Sequence, residues 1–133
     1  MQAVDFNNAY YIKLGIGGKW EESSIRENKI RIGWANWIVE EINQKNWDTL
    51  KAKHQHEYKN KGSATADINA LKALVESTSD DIWITFHLSQ LWWCRVGESG
   101  ISKDEISNYR KVLGHWYNHD IHNQPLILNQ IPE

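Results

Sequence analysis

Cysteine is almost absent from the 133-residue chain, whose single thiol, Cys94, cannot form an internal disulfide. A lone cysteine is typical of a reducing, cytoplasmic setting rather than of a disulfide-stabilised secreted domain. Cys94 stands between Trp93 and Arg95 in the middle of a predicted strand. We therefore expect it to be a buried structural thiol and not a nucleophile.

The sequence also lacks long apolar runs, a secretory signal pattern, internal repeats and low-complexity linkers. There is no stretch of about 18 apolar residues that would form a transmembrane helix. The N-terminus, MQAVDFNNAYYIKL, has no basic segment followed by an apolar one, unlike a signal peptide. These absences predict a single cytoplasmic domain over residues 1–133, with no membrane partner.

An excess of positive charge is missing as well, because the 15 lysines and arginines face 17 acidic residues, for a net charge of −2. Proteins that coat DNA nonspecifically are usually basic, so affinity for nucleic acid must come from a local patch or a pocket. Phenylalanine is scarce, at 2 residues, whereas tryptophan reaches 8 and tyrosine 5. Because an indole offers a large flat face and one N–H donor, this surplus indicates stacking on a ligand in addition to core packing.

Periodicity and turn residues predict an α+β domain with mostly antiparallel strand pairing. The predicted strands cover residues 9–14, 29–34, 80–87, 91–97, 109–117 and 126–131, with a tight turn at 88–90 and a polar loop or helical turn at 98–108. The predicted helices cover 19–29, 36–43 and two successive segments within 46–77, divided at Gly62, with Ser63 or Thr65 as the second cap.

The predicted hairpin carries apolar residues on both faces, including the adjacent Trp92 and Trp93. Neighbours on a strand point to opposite faces, so one core can bury only one of these two rings. We expect the core face to hold Ile82, Ile84 and Phe86 on the first strand and Trp92, Cys94 and Val96 on the second. The other face would then hold Trp83, His87, Trp93 and Arg95, as a ligand surface or as a second layer of core beneath a helix.

Three further tryptophans follow predicted strands and are candidates for an aromatic cage. Trp34 and Trp37 lie at the exit of the strand KIRIGW, and Trp116 lies near the end of a later strand. Rings that converge from different elements can hold a methylated cation or an extruded base. The alternative for each ring is ordinary core packing.

A glycine turn, GIGGKW, offers Gly17, Gly18 and Lys19 as candidate phosphate contacts through backbone N–H groups and one ammonium. It lacks the spacing of a P-loop and the hydroxyl residue after the lysine, so an NTP site is not expected. Turn geometry alone is the simpler interpretation.

Three histidines, His115, His119 and His122, lie close together with Asp120 and would be the ligands of a metal site. The segment has turn residues instead of a helical HExxH scaffold, and the chain has no CxxC motif, GxSxG motif or readable carboxylate dyad. The leading expectation is therefore a protein without catalytic residues, metal or cofactor.

Four segments together resemble the PUA-like superfamily, and specifically its EVE and YTH branches. These segments are Tyr11–Gly15, Ile30–Trp34, Asp81–His87 and Leu91–Val96, and the resemblance spans roughly residues 9–117. The sequence is also similar to N-terminal sensor modules of prokaryotic restriction and phage-defence proteins.

The resemblance implies a small barrel with flanking helices and a pocket that accepts a modified, often methylated, base into an aromatic cage. Trp34 matches the tryptophan after the second strand, Trp92 or Trp93 matches the aromatic on the return strand, and Trp116 matches a late cage residue loosely. His87 and Ser89, at the hairpin turn, would read the base edge. The hairpin lacks the asparagine-containing turn of YTH domains. The chain also ends soon after PLILNQIPE, which indicates an excised module or unusual barrel closure.

The sequence therefore predicts a non-enzymatic reader of a modified base, with DNA favoured over RNA, linked to or associated with an effector domain. The cage would be Trp34, Trp93 and Trp116, with Trp37 and Trp92 in reserve, and the phosphate contacts would be Lys13, Gly17, Gly18, Lys19, Arg31 and Arg95. One alternative is a protein-interaction module that uses exposed aromatics. The other is a metal-dependent enzyme built on the three histidines.

Overall fold

The protein is an α+β structure in which two small sheets pack with four helices, within residues 6–33 and 37–118, the part of the chain that this computed structural model describes. The first sheet has the order β1-β3-β4 and the second has the order β2-β6-β5. The strands are β1 (Ala9–Tyr11), β2 (Lys29–Ile32), β3 (Ile82–His87), β4 (Gln90–Cys94), β5 (Val96–Lys103) and β6 (Asn108–Val112). Among the strands of the described residues, only the β1–β3 pair is parallel.

The helices are α1 (Glu21–Glu27), α2 (Val39–Asn43), α3 (Trp47–His54) and α4 (Lys61–Glu76), with short 3₁₀ turns at Ile16–Gly18 and Gln55–Glu57. Two details of the α3–α4 region were predicted wrongly. Gly62 lies in the first turn of α4 instead of ending α3, and the cap of α4 is Asn60, whose side chain accepts a hydrogen bond from the N–H of Ser63. An asparagine cap satisfies one of the free N–H groups of the first turn, so α4 begins at Lys61, directly after the cap.

The segment 98–108, predicted as a polar loop, is largely part of β5, a strand with exposed residues at its centre. Strand pairing overrides its polar composition, because β5 pairs with β6 around a register shift between Val96 and Ile101. The predicted strand 126–131 lies outside the described residues.

A continuous path of strands joins the two sheets without closing them into a barrel. Only Arg95 separates β4 from β5, and its carbonyl accepts a hydrogen bond from Leu113, just past β6. The opposite ends of this path are β1 and β2, and among the described residues neither of these edge strands pairs with the other. The predicted α+β class with mostly antiparallel pairing is therefore confirmed. The predicted barrel-like sheet is not observed, because the two sheets stay open among the described residues.

The hairpin of β3 and β4 has apolar residues on both faces, and the two faces bury different clusters. The main core takes Trp83 and Cys94, with Trp92 packed against it, whereas a second cluster on the other face contains Ile82, Leu91 and Trp93, with Ile84, Phe86 and Tyr117 packed against it. The predicted face was therefore right for β4 and wrong for β3. In the observed antiparallel register Ile84 lies opposite Trp93, and directly opposite residues share a face.

The main core contains α4 residues Ile68, Leu71 and Leu74 and the thiol of Cys94, which is fully buried. Burial raises the pKa of this thiol well above its usual value, so the thiolate is disfavoured. The prediction of a buried thiol is confirmed. No helix among the described residues has the length and apolar character needed to cross a bilayer.

Candidate functional site

A cavity of about 850 Å³ is lined by β1, the end of β2 and the C-terminal half of α4. This volume lies in the range of small-molecule pockets, roughly 300–1,000 Å³. Its lining is Ala9, Tyr10, Tyr11, Ile12, Lys13, Gly15, Lys19, Trp20, Arg31, Ile32, Gly33, Ala70, Ala73, Leu74 and Trp83. The walls are mainly aliphatic and aromatic, and the cavity occupies the gap that pairing between β1 and β2 would have closed.

Flat rings from three different elements line this cavity. Tyr10 of β1 stacks on Trp83 of β3, with ring centroids 4.7 Å apart and 23° between the planes. Trp20, which precedes α1, forms a further wall and its ring is half-buried. Gly15 allows this ring to approach the backbone, because a Cβ there would lie 3.1 Å from the indole and 2.8 Å from Cγ of Lys19.

A buried network fixes the Trp83 ring. Its indole N–H donates to Oγ of Ser77 over 3.1 Å, and that hydroxyl donates to the carbonyl of Leu74 over 3.0 Å. Arg110 donates to the carbonyls of Leu74, Val75 and Ser77, which are free at the end of α4. Because the negative end of a helix favours a cation, Arg110 holds the C-terminus of α4 and, through Ser77, the aromatic wall.

Backbone polar groups border the cavity along both strand edges. In the parallel ladder, Ile12 donates to Ile84 and the carbonyl of Asn8 accepts from Ile82, so the intervening Ala9 and Tyr11 direct their N–H and C=O groups away from β3. On β2, the backbone N–H and C=O of Arg31 likewise point away from β6. The antiparallel register, with Val112 donating to the carbonyl of Asn28, gives the hydrogen bonds to β6 to its neighbours Ile30 and Ile32. These edges offer donors and acceptors at fixed spacing to a ligand in the gap.

Two exposed lysines, Lys13 and Lys19, stand at the rim of this mainly apolar cavity. The Lys19 ammonium lies over the Trp20 ring, 4.7 Å from its centroid. Neither lysine has a carboxylate partner among the described residues, so both are free to meet an anionic group of a ligand. Both were predicted as phosphate contacts, and both line the cavity.

Arg31 lines the same cavity, but its guanidinium is already fully engaged. The side chain is completely buried and donates to Asp104 at 2.9 Å, Glu27 at 3.0 Å, Ser107 at 3.1 Å and Ser23 at 3.1 Å. A buried cation has to be paired, and this one is matched by two carboxylates. The prediction of Arg31 as a phosphate contact is therefore wrong.

The remaining predicted phosphate contacts lie away from the cavity or are occupied. Gly17 and Gly18 form the 3₁₀ turn with φ values of 65° and 72°, and the Gly18 N–H donates to Gly15. Neither of these two glycines lines the cavity. Arg95 donates to the carbonyl of Ser79 and lies 5.8 Å from the Trp93 ring centroid, on the other side of the hairpin.

The predicted cage is not assembled, because Trp93 and Trp116 belong to opposite faces of the sheets. Trp93 is 8% exposed and stacks on Tyr117 in the second cluster, whereas Trp116 is 3% exposed in the main core. The indole N–H of Trp116 donates to the carbonyl of Lys29. The two rings belong to different buried clusters, so among the described residues the structure does not bring them together as the expected cage requires.

The reserve members of the cage have structural roles. Trp37 is 2% exposed, stacks on His54 and donates to Glu57. Trp92 packs against the main core, and its buried indole N–H has no hydrogen-bond partner among the described residues. Trp34 lies outside the described residues, and the residue before it, Gly33, lines the cavity.

The predicted base-edge residues are also away from the cavity. His87 lies at the end of β3, and its Nδ1 is 2.9 Å from Oε1 of Glu21 on α1. Ser89 is exposed in the hairpin turn with a φ of 64°. Neither residue lines the cavity.

The alternative metal site is only partly visible. The His115 ring lies tilted against Tyr117, with ring centroids 4.0 Å apart, and its Nδ1 contacts the carbonyl of Trp116, whereas His119 and His122 lie outside the described residues. Within residues 6–33 and 37–118, no three histidine, cysteine, aspartate or glutamate side chains cluster as metal ligands.

Sequence reasoning missed Tyr10, Trp20 and Trp83 as the rings that meet at one cavity. Trp20 falls within the predicted helix 19–29 and has no predicted role in a site, and the face of Trp83 was predicted wrongly. The feature of the sequence that pointed to this part of the fold was the pair of segments 11–15 and 30–34, which carry part of the resemblance to the PUA-like superfamily. Described residues of both segments line the cavity.

Comparison of the chain with protein-family models, curated proteins and solved structures finds no significant match.

Proposed function

We propose that the protein is a non-enzymatic reader that captures a modified, methylated base in the cavity between β1 and β2. The observation that carries the proposal is the convergence of Tyr10, Trp20 and Trp83 on one open cavity with lysines at its rim. Base–aromatic stacking contributes about 1–3 kcal/mol per base, which offsets the few kcal/mol needed to unstack it.

The small residues of α4 favour a base that carries a methyl group. Ala70, Ala73 and Leu74 form an aliphatic floor beside the rings. A methyl group buried there gains roughly 0.8 kcal/mol, and an unmodified base would leave the space to water. This aliphatic floor alone would therefore make the affinity for the methylated base only about fourfold higher than that for the unmodified base.

The edges of the base would be read by backbone groups and its phosphate by lysines. Ala9, Tyr11 and Arg31 present backbone donors and acceptors, and Lys13 and Lys19 supply the charge. With two phosphate-directed lysines, binding weakens with salt, with a slope of about −1.4 on a log–log scale for a single strand. DNA remains favoured over RNA as the ligand.

The resemblance to sensor modules extends the proposal to the cellular role. Capture of a modified base by this domain would direct a linked or associated effector of restriction or phage defence. The domain itself performs no chemistry in this proposal and needs no cofactor.

Titration of single-stranded oligonucleotides tests the proposal, with tryptophan fluorescence as the readout. The panel pairs N6-methyladenine, 5-methylcytosine and 5-hydroxymethylcytosine with their unmodified counterparts in one sequence context. We expect one modified strand to bind several-fold tighter than its unmodified match. Trp20→Leu should weaken that binding about tenfold or more, because it removes one ring on which the base stacks.

Trp47→Leu is the matched control, because Trp47 is another half-buried indole, outside the cavity, whose N–H is bound to Glu76. It should leave the affinity unchanged. Equal affinity for every base, or equal losses from Trp20→Leu and Trp47→Leu, would contradict the proposal.

A second candidate function, a protein-interaction module, is favoured by the unpaired edge of β1. An extended peptide can add a strand to such an edge through main-chain hydrogen bonds. This function predicts peptide binding that survives Trp20→Leu and shows little salt dependence, the opposite of base capture.

A further inference from the structure

A second hollow of about 470 Å³ adjoins the aromatic cavity, and the two share Tyr10 and Ala73. Its lining is polar, in contrast to the cavity, and consists of Asn7, Asn8, Tyr10, Asn69, Lys72, Ala73, Glu76, Ser77, Thr78 and Asp81. Tyr10 therefore stands at the boundary between an aromatic space and a space rich in amides.

Several polar groups in this hollow are not used by the fold. Asn8 and the N–H of Thr78 satisfy the Asp81 carboxylate, at 2.9 Å and 3.0 Å, which is a structural role at the start of β3. The side chains of Asn7, Asn69 and Lys72 make no hydrogen bond or ion pair among the described residues, and all three are exposed. Two amides and one ammonium around one hollow are thus available to a ligand.

We infer that this hollow takes the nucleotide next to the captured base, so that the ligand is a single strand of at least two nucleotides. The inference rests on the proposed function of the aromatic cavity. A carboxamide carries a donor and an acceptor side by side and can pair with a base edge in two places, as asparagine does with adenine. Lys72, an exposed lysine that lines the hollow next to the shared residue Ala73, would supply the cation for the phosphate that joins the two nucleotides.

The acidic members of the hollow favour a base or sugar there instead of a phosphate. Glu76 and Asp81 both repel phosphate oxygens, and Glu76, which accepts from Trp47 through Oε2, has its other oxygen left to accept a hydrogen bond from an amino or hydroxyl group. The charge pattern therefore places the phosphate toward Lys72 and the neutral parts of the nucleotide inside. The hollow would make the protein sensitive to the residue that flanks the modified base.

Comparison of a mononucleotide with a trinucleotide tests the inference, each carrying the modified base that binds tightest in the panel above. We expect the trinucleotide to bind about tenfold tighter or more. The double variant Asn69→Ala/Lys72→Ala should lower trinucleotide affinity to the mononucleotide level and leave mononucleotide affinity unchanged. Alanine is a better helix former than asparagine, so α4 should keep its stability, which circular dichroism checks.

Lys61→Ala is the control, because Lys61 is an exposed lysine in the first turn of the same helix, about 16 Å from Lys72 along the axis. It should change neither affinity. Equal affinity for the two probes, or a trinucleotide advantage that survives the double variant, would overturn the inference while base capture stands. Failure of every probe to bind would overturn base capture and, with it, the second subsite.

Discussion

At the scale of single residues, burial decides what the charged and aromatic side chains do. Arg31 alternates with isoleucines in β2, and from the sequence alone it is indistinguishable from an exposed cation. In the fold it is buried and forms ion pairs with Glu27, four residues before it, and with Asp104, far away in the chain. Long-range pairing of this kind leaves no local pattern, so sequence reasoning assigned the residue to a ligand.

The Arg31–Asp104 pair predicts a pH dependence of stability. The Arg31 guanidinium, helped by Lys29 and two backbone N–H groups, holds the pKa of Asp104 far below its usual range. A carboxyl with a depressed folded pKa contributes stability that is complete above its unfolded pKa, about 3.9, and is lost as the pH falls below that value. The urea midpoint should thus drop between pH 6 and pH 3 in the natural sequence.

Asp104→Asn should lower the free energy of unfolding at pH 7 by about 3 kcal/mol, because Arg31 loses a buried partner. The variant should also show a shallower loss of stability between pH 6 and pH 3. Glu105→Gln, an exposed neighbour, is the control and should behave like the natural sequence. Parallel pH profiles for Asp104→Asn and the natural sequence would count against this account.

At the scale of elements, the sequence predicts the buried face where apolar residues lie on one side of an element. It does not predict that face where both sides are apolar. In α4 the apolar residues Ile68, Leu71, Leu74 and Val75 recur at helical spacing, a pattern that predicts one buried face, and in the structure all four are buried. The hairpin is apolar on both faces, so alternation alone could not say which side of β3 meets the main core. The polar β5 depends on pairing with β6 and carries little strand signal of its own.

The turn of the hairpin predicts a stabilising substitution. Leu88 and Ser89 both have positive φ, 51° and 64°, in a two-residue turn, a conformation that favours asparagine and glycine. Leu88→Asn/Ser89→Gly should raise the free energy of unfolding by about 1–2 kcal/mol, because the left-handed strain is relieved. Urea denaturation measures the gain.

Leu88→Ala separates this strain from the effect of removing an exposed apolar side chain. Leu88 is 82% exposed, so truncation alone should cost little. Alanine keeps the left-handed strain, and the variant should gain nothing. An equal gain from both variants would mean that the turn is not the source of the stabilisation.

At the scale of the whole molecule, the cavity exists because β1 and β2 end the strand path without meeting. The resemblance located both strand ends, and those ends border the cavity. The rings that line it come from Tyr10, Trp20 and Trp83, which meet only after β1 pairs with β3, 73 positions away in the register. A surplus of tryptophan therefore signalled stacking surfaces without revealing which rings share a space.

We propose that a captured base sits among Tyr10, Trp20 and Trp83 and not beside Trp93 or Trp116. The most direct test follows the tryptophan indole N–H signals by ¹⁵N NMR during titration with the tightest-binding modified oligonucleotide. The account predicts that the Trp20 and Trp83 signals shift with the ligand, whereas those of Trp93 and Trp116 stay in place. Shifts confined to Trp93 and Trp116, or no shift in any indole signal, would contradict it.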